Sequence, residues 1–318
     1  MNKRGFVFSF AWIFAIVAGA TILFLAIYAA VNIIGAERYH IDTATAAQLS
    51  VIFEPLETGL ASGKAGFAKF SEETRIFETC NENYKGFGKN GIRTATKSSL
   101  LEEWEEPGGE ITIQHKYLFS NSSEQGKSAF ILSKSLELPF KVADLISFSF
   151  QEYCFIDLEE TQEIDIPEFI LDEFPLLGGG PGYVCKPTAV NVCFMIEGER
   201  SHPRRCDVKV WGCSASEGCE YEYYYGRVEK KKGGRTYYLY YIADLIYPAI
   251  YSEPEIYRCN VKRLMTRLVK ESRVYQDESK FLSGGGCGTV NFANFEELKT
   301  QAEEIKRSAN LDQTDISI

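Results

Sequence analysis

The chain has 318 residues, and apolar and charged fractions of 45% and 25% let most of it bury a core. Its formal charge is −10; Lys3 and Arg4 are the only charged residues before Glu37, so the remainder carries 32 basic against 44 acidic side chains, a balance of −12. A surface of that sign repels phosphate backbones and excludes nucleic acid as a partner.

Residues 1–5 form a basic tip. From Phe6 to Val31 only Ser9, Thr21 and glycine interrupt an apolar run. A helix of that length, rising about 1.5 Å per residue, exceeds the roughly 30 Å hydrocarbon core. The run predicts a transmembrane helix over 6–35, with the lipid bilayer as its partner. Lys3 and Arg4 precede it, whereas Glu37 and Arg38 cancel just beyond, so the positive-inside tendency leaves the N-terminus cytoplasmic and exports the rest. Ala18-Gly19-Ala20 has the sizes of a signal-peptidase site, but a cut there leaves a long apolar run behind.

Lys3-Arg4-Gly5-Phe6 followed by a long apolar helix resembles the class III leader of archaeal and bacterial type IV pilins. The resemblance covers about the first 35 residues. It implies cleavage between Gly5 and Phe6 and a helix that packs into a filament core. The family's glutamate at the fifth residue after the cut is Phe10 here. As a whole the chain is similar to uncharacterised archaeal single-pass proteins with exported domains.

Beyond the membrane, Ile41, Ala44, Leu49, Ile52, Leu56 and Leu60 recur at roughly helical intervals, predicting a stalk or core helix over 36–62 that Pro55 kinks or ends. A β-rich lobe over 63–177 follows, with strand signals at Gly109–Ile113, Lys116–Phe119, Phe130–Leu138 and Ile146–Phe150. Leu138 to Leu145 reads as a connection or short helical turn. Asn121-Ser122-Ser123 is an N-glycosylation sequon between two of these strands, with Asn121 as the acceptor. Residues 159–173 hold seven carboxylates and no basic side chain, a solvated acidic loop leading to the glycine-rich boundary at Gly178–Gly182.

A second lobe over 178–255 is rich in cysteine and tyrosine. Glu220–Val228 and Thr236–Ile242, joined by Lys230–Arg235, predict a hairpin. Tyr221, Tyr223 and Tyr225 share one face of the first strand, and Tyr237 and Tyr241 one face of its partner. Such faces stabilise a sheet by cross-strand stacking, or contact a protein or glycan. The region 256–318 is helical: Val261, Leu264, Met265, Leu268 and Val269 form an apolar stripe within Ile256–Leu282, and a polar helix runs from Phe292 to Ala309. The fold class expected is α+β: a membrane helix continuing into an amphipathic one, an antiparallel β-rich ectodomain, and C-terminal helices.

All nine cysteines, Cys80, Cys154, Cys185, Cys193, Cys206, Cys213, Cys219, Cys259 and Cys287, lie beyond the apolar run. Behind a membrane anchor they read as a disulfide framework rather than a metal centre, since no CxxC pair occurs. Nine is odd, leaving at least one thiol free or shared between chains. Cys80 and Cys154 flank the first strand region and are expected to pair; Cys259 and Cys287 pair only if the helix between them breaks near Tyr275–Ser279. The three histidines, His40, His115 and His202, sit in no zincin pattern, and no Walker A, GxGxxG or GxSxG segment occurs. No catalytic, cofactor or metal residue is assigned. The sequence therefore reads first as a non-enzymatic cell-surface protein, second as a pilin-like filament subunit, and third as a surface hydrolase with a carboxylate pair.

Overall fold

A computed structural model describes residues 10–53, 64–97, 103–138, 140–156, 186–196, 206–212, 225–284 and 292–308. Helix α1 (Phe10–Ile52) runs unbroken for 43 residues, so the apolar span and the stalk are one helix. Its end at Ile52 lies three residues before Pro55, whose ring disfavours helical backbone in the residue preceding it.

Eleven strands follow among the described residues: β1 (Lys64–Asn81), β2 (Lys89–Thr96), β3 (Ile111–Ile113), β4 (Tyr117–Phe119), β5 (Ser123–Glu137), β6 (Lys141–Ser149), β7 (Tyr153–Ile156), β8 (Val190–Ile196), β9 (Val208–Gly212), β10 (Tyr225–Lys232) and β11 (Arg235–Ile242). A 3-10 turn (Ala243–Leu245) leads to α2 (Ile246–Tyr251), α3 (Pro254–Gly284) and α4 (Phe292–Ser308). The first sheet has the order β3-β2-β1-β5-β6-β4 and the second β11-β10-β9-β8-β7. The α+β class is as expected, but the sheets are mixed rather than antiparallel: β4–β6, β7–β8 and β8–β9 are parallel. Parallel neighbours need long connections, and the 33 residues between β7 and β8 supply one.

The first sheet must curl. Its edge strands β3 and β4 are joined by only Gln114, His115 and Lys116, a link of at most about 14 Å. Laid flat, six strands would put those edges about 24 Å apart. All six strands contribute to one apolar cluster: Ile113, Ile92, Ile76, Ile131, Ile146 and Leu118, in order from one sheet edge to the other, close around Ala46 and Leu49 of α1 and Phe53 just beyond its end. The concave face therefore wraps the end of the anchor helix. The other main core joins Phe130, Leu132 and Leu145 to Val192, Val210, Val228 and Leu239 of the second sheet and to α2 and α3. The stripe Val261, Leu264, Met265, Leu268 and Val269 is buried there as its period predicts.

One local expectation is corrected, and two features follow that no local pattern fixed. Lys141–Leu145 belongs to strand β6 instead of a connection, because Val142, Ala143 and Leu145 are drawn into the core. Strand β1, the longest, was not legible as a strand: residues 70–73 form an irregularity between the pairs Lys69↔Ser128 and Thr74↔Gly126, which breaks the two-residue period. Helix α3 is continuous through Tyr275–Ser279, so about 38 Å of helix separates Cys259 from Gly284, and Cys259 does not pair with Cys287.

Candidate functional site

The N-terminal half of α1 is long and apolar enough to cross a membrane: its most apolar window has a mean hydropathy of 2.5 and is 0% buried. Phe10, Phe14 and Phe24 are all exposed. Burial begins where charge begins. Arg38 pairs with Glu105. Asp42 is fully buried; the Thr96 N–H donates to its Oδ2 at 3.4 Å and the Thr94 hydroxyl to its backbone carbonyl at 2.7 Å. The Gly109 N–H donates to Thr43 Oγ1 at 2.8 Å, and Gly108 is close enough that a Cβ there would lie 2.6 Å from the Thr43 nitrogen. The Pro107-Gly108-Gly109 turn thus lies directly on the helix. At the other end the Lys116 ammonium donates to the Ser50 carbonyl at 2.9 Å, answering an orphan carbonyl of the last turn.

Beside this apolar seat lies a buried polar layer. Glu78 and Ile76 alternate on the same face of β1, and Glu78 is 2% exposed. It accepts from Asn90 Nδ2 at 2.8 Å and from the Ser120 hydroxyl. Burial pushes its pKa up to about 8, against the Ser120 hydrogen bond and the Arg263 charge, which lower it. Arg263 of α3 donates from Nε to the Phe87 carbonyl at 2.9 Å and from its terminal nitrogens to Asn90 Oδ1, Asn260 Oδ1 and the carbonyls of Gln114 and Lys116. Its guanidinium also lies 4.7 Å from the centre of the Tyr117 ring. One buried cation therefore joins the β1–β2 turn, the short link between the sheet edges, and α3; burial lowers its pKa to about 10. Asn260 adds a bond to the Leu118 carbonyl.

Glu124, on β5, is raised by burial as well. Both of its oxygens are occupied, by Asn121 Nδ2, the Ser149 hydroxyl at 3.1 Å and the Phe150 N–H at 2.7 Å. Lys230 is half-buried on the core face of β10, and its ammonium donates to the carbonyls of Ile250 and Ser252; withdrawal of the ammonium from water lowers its pKa to about 7.

A carboxyl group that stays protonated near neutrality can act as a general acid, but it must reach a substrate. Glu78 is sealed. Glu124 borders a depression of about 210 Å³ lined also by Ser123, Gln125, Phe150 and Gln151, and it is the one carboxylate there among the described residues. Both of its oxygens accept bonds from within the first sheet's strands and links, and it is the separate layer around Glu78, Asn90 and Arg263 that joins sheet to helix. Among the described residues no three His, Cys, Asp or Glu side chains gather as a metal site.

The expected disulfide framework is present in part. Cys193 bonds Cys206, and Cys80 bonds Cys259 with the Cα atoms 6.1 Å apart. The expected Cys80–Cys154 pair does not form, because the curled sheet brings the end of β1 to α3; Cys154 is disulfide-bonded elsewhere. Cys185, Cys213, Cys219 and Cys287 lie outside the described residues, as do Gly5, Phe6, Tyr221, Tyr223 and His202. His40 and His115 are exposed.

The predicted hairpin is β10–β11, closed by Gly233 and Gly234 with φ of 57° and 78°, a two-residue turn that requires glycine-like backbone at both positions. Its register puts Tyr237 and Tyr241 on the core side: Tyr241 is 4% exposed and donates to the Trp211 carbonyl at 3.2 Å, and Tyr237 is half-buried. Tyr225 points to the opposite face and is exposed. Sequence reasoning missed the layer around Glu78, Asn90, Asn260 and Arg263; its one local sign was a charged residue beside the apolar stripe of α3. Comparison of the chain with known protein families, characterised proteins and solved structures finds no match.

Proposed function

We propose that this chain is a single-pass membrane protein with its N-terminus in the cytoplasm, holding a disulfide-stabilised head outside, where the head has a structural or binding role at the cell surface. One observation carries the reading: a single helix is exposed and apolar over its first half and, from Asp42 on, buries one face in the head. A continuous rod of this kind fixes the head close to the bilayer. The disulfides Cys80–Cys259 and Cys193–Cys206 within the head fit an oxidising compartment, and Lys3 and Arg4 fit an inner N-terminus. The lipid bilayer is then the partner of residues 6–35, and the head's partner is a protein or glycan at the same surface. Protease added to intact cells is expected to degrade the head and leave a short anchor fragment. Full protection of the head overturns the reading.

The docking of the same helix into the concave face of a sheet supports a second reading, a pilin-like filament subunit, since pilins join a membrane helix to a globular head in this way. Intact mass decides it: loss of the first five residues supports that reading, and a retained Gly5–Phe6 bond removes it.

A further inference from the structure

The turn between β4 and β5 carries the only Asn-x-Ser/Thr sequence of the chain, Asn121-Ser122-Ser123. The fold fixes this turn. The Ser120 carbonyl accepts from the Glu253 N–H at 3.1 Å and the Ser122 carbonyl from the Glu78 N–H at 3.0 Å, while Ser122 donates to the Glu253 carboxylate. Asn121 is half-buried, Ser122 and Ser123 are exposed, and Asn121 Nδ2 donates to Glu124 Oε1 at 2.5 Å. A carboxamide nitrogen carries two hydrogens. An N-glycosidic link replaces one of them, so the other can keep the bond to Glu124.

Within one hydrogen bond of that nitrogen, Glu124 borders the depression of about 210 Å³ lined by Ser123, Gln125, Phe150 and Gln151. This volume is below the roughly 300 Å³ at which sites for drug-sized ligands begin, and it suits a single sugar ring. One wall is aromatic. The Phe150 ring lies against β5 at Gly126, where a Cβ would stand 2.6 Å from Phe150 Cδ1, and Phe70 supports it with ring centres 5.7 Å apart. The rim is polar. The Gln125 side-chain oxygen accepts from Arg75 Nε at 2.9 Å, which leaves its nitrogen as a donor, and Arg75 is itself held 4.0 Å from the centre of the Trp104 ring. Ser123 and Gln151 are exposed beside it. A sugar has an apolar C–H face that packs on an aromatic ring and hydroxyls that bond to amides, and the depression offers both kinds of partner.

We propose that Asn121 carries an N-linked glycan whose first sugar seats in this depression against Phe150. This rests on the reading that the head is exported, where a membrane-bound transferase can supply sugar from a lipid-linked sugar phosphate. In the transfer a bond forms between Asn121 Nδ2 and the anomeric carbon. The carbon–oxygen bond to the phosphate breaks, its electron pair leaves with the phosphate, and the amide proton passes to water. The seated sugar covers the half-buried Phe150 ring and links the start of β5 to the end of β6.

The test uses the full chain extracted in detergent from the membranes of its own cells. Peptide mapping is expected to find the peptide bearing Asn121 heavier by one or more sugar residues. Ser123→Ala breaks the sequon with Asn121 in place and is expected to lose that mass, whereas Ser123→Thr keeps it. Thermal midpoints read the seat. Ser123→Thr is expected to match wild type and Ser123→Ala to fall by about 2–4 °C. In a Phe150→Ala background the Ser123→Ala change is expected to have no effect. An unmodified Asn121 overturns the proposal, and so does a glycan whose effect on the midpoint is the same with and without Phe150. Proteolysis of intact cells reads export separately: a degraded head with Asn121 bare removes the glycan and leaves the export reading standing, whereas a protected head removes the export reading itself.

Discussion

Cys80, at the end of β1, is bonded to Cys259 in the second turn of α3, closing a sequence separation of 179 residues. The bond stands next to the polar layer: Asn260 and Arg263, in the same turns of α3, reach the sheet through Leu118, Asn90 and Phe87. Covalent and hydrogen-bonded links thus fasten the same helix to the same end of the sheet.

A cross-link that closes so long a loop removes much freedom from the unfolded chain, on the order of 5 kcal/mol in the chain-entropy model. The double variant Cys80→Ser/Cys259→Ser is expected to lose roughly 2–5 kcal/mol of stability in urea unfolding. The native fold should persist at low urea, because the hydrogen bonds of Arg263 do not depend on the bond.

Replacing Arg263 by Met keeps much of the volume and removes every donor of the fork. The acceptors on Phe87, Gln114, Lys116, Asn90 and Asn260 then lose a buried partner, and Glu78 loses its nearby cation. The expected loss is about 3–5 kcal/mol. Arg263→Lys, a point charge without the fork, should recover only part of it. Chemical denaturation of the three proteins side by side checks both statements.

Glu78 makes stability depend on pH. Its folded pKa of about 8 exceeds the ordinary value of 4.5, so between those values the folded state binds more protons than the unfolded one. The contribution is fully present below about pH 4.5 and is lost as pH rises through about 8. Lys230 acts in the opposite sense, from a folded pKa of about 7 to an ordinary 10.5: its contribution is present above the upper value and lost as pH falls through the lower. Thermal midpoints measured from pH 5 to 7 should therefore fall in wild type and fall less in Glu78→Gln. Equal slopes would show that Glu78 is not the group responsible.

The seat of the anchor helix depends on a close approach at Gly108. A Cβ there would lie 2.6 Å from the Thr43 nitrogen and 2.9 Å from the Asp42 carbonyl carbon, both backbone atoms that cannot yield cheaply. Gly108→Ala is expected to cost about 1–3 kcal/mol and to loosen the Pro107–Gly109 turn from α1. Faster amide exchange at Gly109, whose N–H donates to Thr43, is the local readout.

Much of the architecture was legible locally. The apolar run, the α3 stripe and the glycine turn of the tyrosine hairpin each follow from neighbours within a few residues, and each appears in the structure. The partner of Cys80 was not legible, nor was the side of the hairpin that Tyr241 occupies. Both depend on contacts between segments far apart in sequence: Cys80 meets α3 only because the sheet curls, and Tyr241 turns inward because the two sheets close on a shared core. Strand β1 escaped notice because an irregularity at residues 70–73 interrupts its alternation.

The sequence by itself determined that one helix is long and apolar enough to cross a membrane, and where the charge begins beyond it. Hydropathy and helix rise are sums over adjacent residues and need no fold. Only the tertiary structure decided that the helix's far end is the core of a curled sheet and that Glu78 and Arg263 become buried. Burial is a property of what surrounds a side chain, and those surroundings come from strands and helices that no local pattern pairs.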